Sequence, residues 1–562
     1  MKEQSLFNKT ILFLIKVTFN LLELILGFIT TTIIIIIIIS NIYPPKVNEN
    51  IYIGERIKIS EDHYTIGQNW LKKNEFGVWE MYIEGAPYER GLVYGKLAKE
   101  LIQKQETIFV KQIDNFVPNK IWKEFLKLLI NFFNKELPSN IPIENQQEIY
   151  GVSKSFSNQY DYIAPKYNRI LNYHAAHDIG HALNDYSMIG CTSFAIKDEM
   201  TKDSSLIIGR NFDFFVGDDF AEEKLILIVK PNKGYGFISS SWPGFTGVVS
   251  GLNDQGISIT INASKSDIPS SSKTPISILA REILQYSSSI NDAILIAKKR
   301  KTFVSETILI SSKKDKRAIL IEKSPNKIGI YDTKQSSLIC SNHYQSKVFS
   351  KNIVNIENIK ESDSKNRYNR IKELLNKKNK LNIIEVAEIL RDQKGKNEDT
   401  LGMGNSSAIN QLIAHHSVII EPEKLKFYVS MHDYQLGAFK GYDLNTFFFD
   451  NKELIKKEKL QINEDQFINS IEYRKFKEFK ATKNKIQNFI QFNKPFKFDE
   501  SDIKNFISTN GELYLTYKLL GEYFMKIKDK KKAKYYFQIA LKKNVASKKD
   551  IRELNQLIKE CY

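Results

Sequence analysis

The spacing of apolar and polar positions changes three times along the chain and divides it into four regions. The first, residues 1–50, contains the run "LILGFITTTIIIIIIISNIYPP", and no charged residue lies between Glu23 and Lys46. An apolar run of this length is sufficient for one helix across ~30 Å of hydrocarbon. The pattern therefore predicts a short N-terminal stub followed by a transmembrane anchor within residues 1–50.

The second region, residues 51–190, is mixed at first and then mostly helical. Its stretch "WKEFLKLLINFFNKEL" is typical, because the apolar residues recur at helical spacing. In the third region, residues 191–435, short apolar runs such as "SLIIGRNFDFF", "KLILIVKP" and "GISITINAS" are separated by Gly, Asn and Pro. Helical stretches alternate with these predicted strands, which indicates two sheets packed between helices and an α+β fold.

The fourth region, residues 436–562, is Lys-rich and helical. Within it, residues 511–544 resemble one tetratricopeptide (TPR) repeat. Small and large residues fall at the packing positions of that repeat, namely Tyr517, Leu520, Gly521, Phe524, Ala533, Phe537 and Ala540. An ordinary helical hairpin fits the same pattern. One repeat cannot bury its apolar face alone, so we expect it to pack on neighbouring helices or to bind a protein partner.

Charge and composition narrow the possible partners. The 562 residues include 82 Lys and Arg against 65 Asp and Glu, a formal charge of +17. Much of the excess is lysine interleaved with glutamate in the C-terminal third, as on solvated helix faces. The sequence contains neither zinc-finger spacing nor a glycine-rich phosphate loop. We therefore expect no nucleic-acid partner. Attraction to an anionic membrane surface is a better explanation of the positive charge.

The flanks of the apolar run predict its orientation. Lys2, Lys9 and Lys16 precede it, which favours a cytoplasmic N-terminus and a catalytic region on the extracytoplasmic, periplasmic side. A cleavable signal peptide is the alternative, although "SNIYPPKV" is a poor cleavage site. The opposite orientation also stays open, because positive charges follow the helix as well.

The chain has three cysteines, Cys191, Cys340 and Cys561, which cannot all pair. It is therefore not a disulfide scaffold, and an odd thiol raises the question of a reactive one. Cys191 follows Gly190 and opens the β-rich region. Its plainest interpretation is a buried structural thiol.

If Cys191 is instead a nucleophile, it needs a base. A papain-type protease would supply a distant histidine, but His343, His415, His416 and His432 lie in no local motif for that task. Cleavage of the peptide bond before Cys191 offers a second solution. The new α-amino group, with a reference pKa of ~7.7–8.0, would then act as general base. Gly190 suits this reaction, because no side chain obstructs attack on its carbonyl.

Five motifs in order carry a family resemblance: "GCTSFAI", "IIGRNFDF", "ITINAS", "CSNHY" and "SKNRYNRI". They resemble the N-terminal-nucleophile (Ntn) cysteine hydrolases of the linear-amide class, in the branch of acyl-CoA:6-aminopenicillanate acyltransferase-like proteins. Relatives include choloylglycine (bile-salt) hydrolases, penicillin V acylase and acid ceramidase. The resemblance covers roughly residues 191–435, and "IEGAPYERGLVYGKLAKELI" before it resembles the propeptide of that branch.

The resemblance implies a four-layer αββα sandwich, self-cleavage between Gly190 and Cys191, and a role for each motif residue. Cys191 would be the nucleophile, and Arg210 beside it would favour the thiolate. Asp213 would accept a hydrogen bond from the α-amino group. The Asn262 amide would be an oxyanion-hole donor. The remaining two are Asn342, a second polar group at the same centre, and Arg367, which would steady the site or the substrate.

Each of these residues also has a purely structural interpretation. Arg210 and Asp213 could form a surface ion pair at a strand end, and the two asparagines could be turn residues. Arg367 could lie on a helix surface beside Arg370.

We expect neither a cofactor nor a metal. His174, His177 and His181 could share one helix face, as a metal site would require. However, they fall in the predicted propeptide, and no acidic or cysteine ligand is evident beside them.

These observations predict a membrane-anchored, self-processed enzyme that acts on a linear, non-peptide amide or an acyl thioester through an acyl-thioenzyme on Cys191. The substrate would be a small molecule. Two alternatives stay open. One is a non-catalytic, membrane-tethered scaffold with a degenerate hydrolase fold and a TPR-like tail that binds partners. The other is a papain-type protease, which would place a histidine within hydrogen-bond reach of Cys191.

Overall fold

The computed structural model describes residues 2–117, 119–175, 178, 190–215, 217–266, 271–449 and 460–562. Its strands are β1 Ile57–Ser60, β2 His63–Ile66, β3 Asn69–Lys73, β4 Trp79–Gly85, β5 Thr192–Ile196, β6 Ile207–Phe212, β7 Leu225–Pro231, β8 Phe237–Ser241, β9 Ser250–Asn253, β10 Ile257–Ala263, β11 Glu306–Ser312, β12 Arg317–Lys323, β13 Ile328–Tyr331, β14 Ser337–Cys340, β15 His416–Glu421, β16 Lys426–Ser430, β17 Phe439–Asp443 and β18 Gln461–Ile462.

The α-helices lie before, between and after these strands in the sequence. They are α1 Lys2–Ile39, α2 Pro87–Leu97, α3 Lys99–Phe116, α4 Lys120–Phe133, α5 Ile143–Ser153, α6 Lys166–His174, α7 Asp218–Glu222, α8 Ile276–Tyr286, α9 Ile290–Lys299, α10 Ile353–Glu361, α11 Ser364–Lys377, α12 Ile383–Leu390, α13 Asn445–Phe448, α14 Ile471–Phe492, α15 Glu500–Asn510, α16 Tyr514–Lys526, α17 Lys530–Leu541 and α18 Lys548–Glu560.

The strands form an eleven-stranded sheet, β1-β2-β3-β4-β7-β8-β9-β10-β11-β12-β13, and a seven-stranded sheet, β14-β5-β6-β15-β16-β17-β18. One apolar cluster contains buried residues of both sheets, such as Ile228 of β7 and Ile208 of β6, so the two sheets pack face to face. Because successive strand residues point to opposite faces, Leu227 and Val229 belong to a second cluster with helices α2 and α8. The α+β fold predicted from the sequence is therefore confirmed.

The other face of the seven-stranded sheet is covered by helices α11 and α12. Phe194 and Ile419 of that sheet share a buried cluster with Ile371 of α11 and Val386 of α12. The core of the molecule thus lies on both sides of β5 and β6. For this reason even the polar residues of these two strands are buried.

The region before Cys191 is part of the same sheet system. Residues 51–190, predicted to be mostly helical, also hold strands β1–β4, and β4 pairs in parallel with β7 from Trp79↔Leu225 to Gly85↔Pro231. A buried ion triad adds to this connection. Glu148 of α5 lies 2.5 Å from Arg90 of α2 and 3.3 Å from Arg281 of α8. The pKa of Glu148 is lowered, because the two arginines outweigh the effect of burial.

The two ends of the chain are helical. Helix α1 is long and apolar enough to cross a membrane between Phe13 and Ile39, as a membrane anchor or a signal sequence would be. At the other end, α14–α18 share a cluster that also includes Leu412 and Leu436, which precede these helices in the sequence. In the α16–α17 pair, a Cβ on Gly521 would lie 2.3 Å from Phe537. Because α14, α15 and α18 contribute to the same cluster, the pair packs on neighbouring helices of its own chain. Its TPR-like character stays a prediction.

Candidate active site

Cys191 immediately precedes β5 and is buried, with 1% of its surface exposed. Strand β5 pairs with β6 so that Ser193 lies opposite Arg210, which brings the guanidinium beside the thiol. The distance from Arg210 Nη2 to Cys191 Sγ is 3.9 Å. Burial raises the pKa of Cys191 to about 11, against the effect of Arg210. In the uncut chain the cysteine therefore holds its proton.

Arg210 is fully buried and its contacts leave it one orientation. Its Nη2 donates to the Ile261 carbonyl at 2.7 Å, and its Nη1 contacts the Ser250 hydroxyl and lies 3.3 Å from His416 Nε2. Its guanidinium carbon lies 4.2 Å from the centre of the Phe212 ring. These contacts do not fit a surface ion pair.

Asp213 follows β6 and is also fully buried. Its backbone carbonyl accepts from the Gly190 N–H at 3.0 Å, and its Oδ2 accepts from Gln411 Nε2 at 3.3 Å. Its Oδ1 has no hydrogen-bond partner among the described residues. Burial raises the pKa of Asp213 to about 7, although Arg367 and Arg210 act against this. One carboxylate oxygen is thus free to exchange a proton near neutral pH.

The Gly190 carbonyl, which belongs to the predicted scissile bond, accepts two hydrogen bonds. Arg367 Nη1 donates at 2.9 Å and Gln411 Nε2 donates at 2.7 Å. Arg367 Nη1 also donates to the Cys191 carbonyl at 2.8 Å and to the Thr192 hydroxyl at 2.9 Å. Two N–H donors therefore already lie where negative charge would develop if a nucleophile attacked Gly190.

Arg367 lies on α11 and is fully buried rather than on a helix surface. Its Nη2 donates to Asp363 Oδ1 and to Asn342 Oδ1, each at 2.9 Å. Its Nε donates to the Ser406 carbonyl at 3.1 Å. All its nitrogens are engaged, so its position relative to Gly190 is fixed.

The side-chain amides of Asn262 and Asn342 differ in their hydrogen bonds. Asn262 on β10 accepts from the Ser193 hydroxyl at 2.8 Å, while its Nδ2 is buried and has no hydrogen-bond partner among the described residues. Asn342 donates to the Ala263 carbonyl at 2.9 Å and accepts from Arg367. Asn262 therefore keeps a donor for an incoming group, whereas the amide of Asn342 is used to hold Arg367.

The structure thus places Arg210, Asp213 and Arg367 in direct contact with Gly190 or Cys191. Asn342 is connected to them through Arg367, and Asn262 through Ser193, which is two residues after Cys191.

One contributor was not predicted, and a second was considered only as the base of a papain-type site. Gln411 lies in the run "GMGNSSAINQ", which has no catalytic pattern, and His416 opens β15. His416 Nε2 lies 2.8 Å from the Ser250 hydroxyl. Among the described residues, no histidine forms a hydrogen bond to Cys191 Sγ, which a papain-type site would require.

The suggested histidine cluster can be followed only in part, because His177 and His181 lie outside the described residues. His174 is buried, with Nδ1 2.8 Å from the Ile170 carbonyl and Nε2 accepting from the Thr246 N–H at 2.9 Å. Burial lowers its pKa to about 4. Both ring nitrogens are therefore occupied by protein groups.

An apolar cavity begins next to the site. Phe214, directly after Asp213, stacks on Phe212 at 5.5 Å and on Trp242 at 6.3 Å between ring centres. Phe214 and Trp242 line the cavity together with Phe109, Phe156, Phe220 and Phe245. The lining also includes the polar side chains of Gln105, Glu106, Tyr173 and His174, so it is mostly but not wholly apolar.

Comparison with known proteins finds one family whose model matches the region of this site. Residues 200–434 match the model of the family described as acyl-coenzyme A:6-aminopenicillanic acid acyl-transferase. This range includes Arg210, Asp213, Asn262, Asn342 and Arg367, while Cys191 lies just before it. The family resemblance inferred from the motifs is thereby confirmed.

Individual relatives are distant. An uncharacterized protein of Archaeoglobus fulgidus is 26% identical over 280 residues, which span 45% of each chain. The alignment therefore covers less than half the length of that relative.

Among solved structures, the chain is similar to a Caenorhabditis elegans N-acylethanolamine-hydrolyzing acid amidase ortholog, with 15% identity and a TM-score of 0.29 over 42% of this chain and 93% of the other. It is also similar to a mutant form of the conjugated bile acid hydrolase from Clostridium perfringens, with 14% identity and a TM-score of 0.32 over 46% and 93%.

Proposed function

We propose that this chain, whose residues 200–434 match the acyl-coenzyme A:6-aminopenicillanic acid acyl-transferase family, is a self-cleaving cysteine Ntn amidohydrolase or acyltransferase. The observation that carries the proposal is the Gly190–Cys191 bond itself. The Gly190 carbonyl accepts a hydrogen bond from Arg367, and the Cys191 thiol lies beside Arg210. We assign the packed sheets and their helices to the four-layer αββα sandwich of the Ntn hydrolases. Residues 191–435 would form the catalytic domain.

Maturation would begin with the neutral Cys191 thiol. Its sulfur attacks the Gly190 carbonyl carbon, and the S–C bond forms as the C–N bond to Cys191 breaks. The thiol proton ends on the released nitrogen. Water then hydrolyses the thioester, which leaves a carboxylate on Gly190 and a free α-amino group on Cys191. Asp213, with one unpartnered oxygen, is placed to carry the proton between these groups.

The mature site would transfer acyl groups by the same chemistry. The α-amino group of Cys191 takes the thiol proton, Arg210 favours the thiolate, and the sulfur attacks the carbonyl of an amide or thioester. The free Asn262 Nδ2 donates to the oxyanion. The α-ammonium group then returns its proton to the departing amine or thiol, and an acyl-thioenzyme remains. Water as acceptor makes the protein an amidase, and an amine makes it an acyltransferase.

The mostly apolar lining of the cavity beside Phe214 supports an apolar group in the substrate. The buried convergence of Cys191, Arg210 and Asp213 favours an enzyme over a scaffold. Intact mass and N-terminal sequence of the purified protein test the proposal. A fragment that begins at Cys191 is expected, and a chain that stays whole under every folding condition would contradict it.

Helix α1 supports a membrane-anchored precursor with residues 51–562 on the extracytoplasmic side. Helix α4, in contact with α1, exposes Trp122, Phe125 and Leu129, a surface compatible with an interfacial position. After cleavage, residues 1–190 would stay bound and tether residues 191–562 to the membrane. The parallel β4–β7 pairing and the Glu148 triad support this, because both connect the two fragments.

We therefore expect the 191–562 fragment to remain in the membrane fraction without detergent, and Glu148→Ala to weaken that attachment. The substitution leaves Arg90 and Arg281 buried without their partner, a loss of about 3–5 kcal/mol in comparable cases. The measurement is the urea concentration that releases the fragment from washed membranes. Glu136→Ala is the control, because Glu136 bridges the same regions to Lys273 at the surface and such pairs are worth ~0–1 kcal/mol. Release in buffer alone would contradict the tether, and equal release midpoints for both variants would contradict the contribution of the Glu148 triad to it.

A further inference from the structure

Gln411 is a buried glutamine whose amide contacts both partners of the cleavage reaction. Its Nε2 is 2.7 Å from the Gly190 carbonyl oxygen and 3.3 Å from Asp213 Oδ2. Only 2% of its surface is exposed, so water does not compete for these contacts. The two amide hydrogens thus connect the scissile carbonyl to the carboxylate that carries the proton.

The orientation of this amide follows from its surroundings. Both neighbouring groups, the Gly190 carbonyl and the Asp213 carboxylate, are hydrogen-bond acceptors. A reversed amide would bring Oε1 against these oxygens, without a hydrogen between them. The nitrogen must therefore face Gly190.

Gln411 and Gly190 also fit each other sterically. A Cβ on residue 190 would lie 2.3 Å from Gln411 Nε2 and 2.9 Å from its Cδ. The amide therefore packs directly on the glycine, at the position where any side chain would displace it.

The loop that carries Gln411, residues 399–412, is held by the C-terminal helical region. The Asn510 side chain bonds both the N–H and the carbonyl of Met403, and Asn544 Nδ2 donates to the Thr400 carbonyl at 2.7 Å. The Ser407 hydroxyl donates to the Ala546 carbonyl at 2.8 Å. The same loop supplies the Ser406 carbonyl that holds Arg367. Both donors to the Gly190 carbonyl are therefore positioned by one clamped loop.

We propose that Gln411 is a catalytic residue of self-cleavage, the second oxyanion donor beside Arg367. As Cys191 Sγ bonds to the Gly190 carbon, the carbonyl oxygen gains negative charge, and Gln411 and Arg367 stabilise it until the C–N bond breaks. The thiol proton ends on the Cys191 nitrogen, so the step is balanced without a co-reactant. This inference rests on the proposed function and adds a residue to it.

The test is the rate of self-cleavage of the full chain, translated in the presence of detergent micelles and followed by pulse-chase. Gln411→Ala is expected to slow the appearance of the 191–562 fragment by ~10²–10³-fold, the usual effect of removing one oxyanion donor. Gln435→Ala is the matched control, because Gln435 is a fully buried glutamine whose amide donates to the Leu390 carbonyl and not to Gly190. It is expected to cleave at the wild-type rate.

Stability is separated from chemistry in the uncut Cys191→Ala background. There, the thermal midpoints with and without Gln411→Ala report folding alone. A slowed cleavage with an unchanged midpoint supports the proposal. Wild-type cleavage in a folded Gln411→Ala chain overturns it and leaves the proposed function intact, whereas a wild-type chain that never cleaves refutes the proposed function.

The variant Gln411→Glu separates a catalytic role of Gln411 from a structural one through the pH dependence of cleavage. Gln411→Glu keeps the shape, but only its protonated form can donate. We expect this variant to cleave faster at about pH 5 than at about pH 8, since burial beside Asp213 raises the glutamate pKa above its reference of ~4.3. A wild-type pH profile for Gln411→Glu would overturn the proposal.

Discussion

Replacement of Cys191 by alanine is expected to abolish self-cleavage and leave one 562-residue chain, whereas the wild type gives fragments 1–190 and 191–562. The reason is that the Cys191 thiol supplies the nucleophile at the Gly190 carbonyl, whose oxygen is bound by Arg367 and Gln411. The measurement is intact mass with N-terminal sequencing of both proteins. The substitution is small and removes only a buried sulfur, so the uncut chain should fold.

Cys340→Ala is the matched control, because Cys340 is a second buried free thiol, on the neighbouring strand β14. It is expected to cleave like the wild type. Cys191→Ser is expected to cleave more slowly, since a hydroxyl is a weaker nucleophile than a thiol. Cleavage of the Cys191→Ala chain at Gly190 would show that an outside protease acts there, and the Ntn mechanism would fall.

Asn262→Ala is expected to separate the two reactions. The Gly190 carbonyl already has two donors, so self-cleavage should proceed at close to the wild-type rate. The mature enzyme should then lose ~10²–10³-fold in kcat, because the free Nδ2 is the donor we assign to the substrate oxyanion. Release of nitroaniline from acyl nitroanilides of increasing chain length measures turnover and locates the acyl group that suits the cavity.

Asn342→Ala provides the contrast. Its amide already binds the Ala263 carbonyl and Arg367, so its loss should loosen Arg367 and slow cleavage as well as turnover. If Asn262→Ala instead blocks cleavage while turnover in the cleaved fraction is normal, the assignment of separate oxyanion donors is wrong.

The sequence was informative where the chemistry is local. Arg210 and Asp213 lie three residues apart on or just after one strand, and that strand pairs with the one that follows Cys191. A short motif and a family resemblance therefore suffice to place them. Asn262 could be predicted in the same way, from the motif "ITINAS" near the end of strand β10.

Gln411 could not be predicted in this way. It meets Gly190 across 221 positions of the chain, from a loop whose residues match no catalytic pattern. Its function follows only from tertiary packing, which includes the C-terminal helices. The sequence indicated only a mixed beginning for residues 51–190 and did not delimit strands β1–β4, because the longer helices that follow dominate the pattern of that region.

The clamp on the 399–412 loop also determines when the chain can be cut. Asn510, Asn544 and Ala546, which hold this loop, follow Gln411 in the sequence and are therefore synthesised after both Gln411 and the scissile bond. A growing chain that lacks them has no fixed position for Gln411, so its thiol and its scissile bond stay inert together. With Gln411 in the role proposed here, cleavage reports on folding, and only a chain whose C-terminal helical region has packed against this loop gains a reactive N-terminal cysteine.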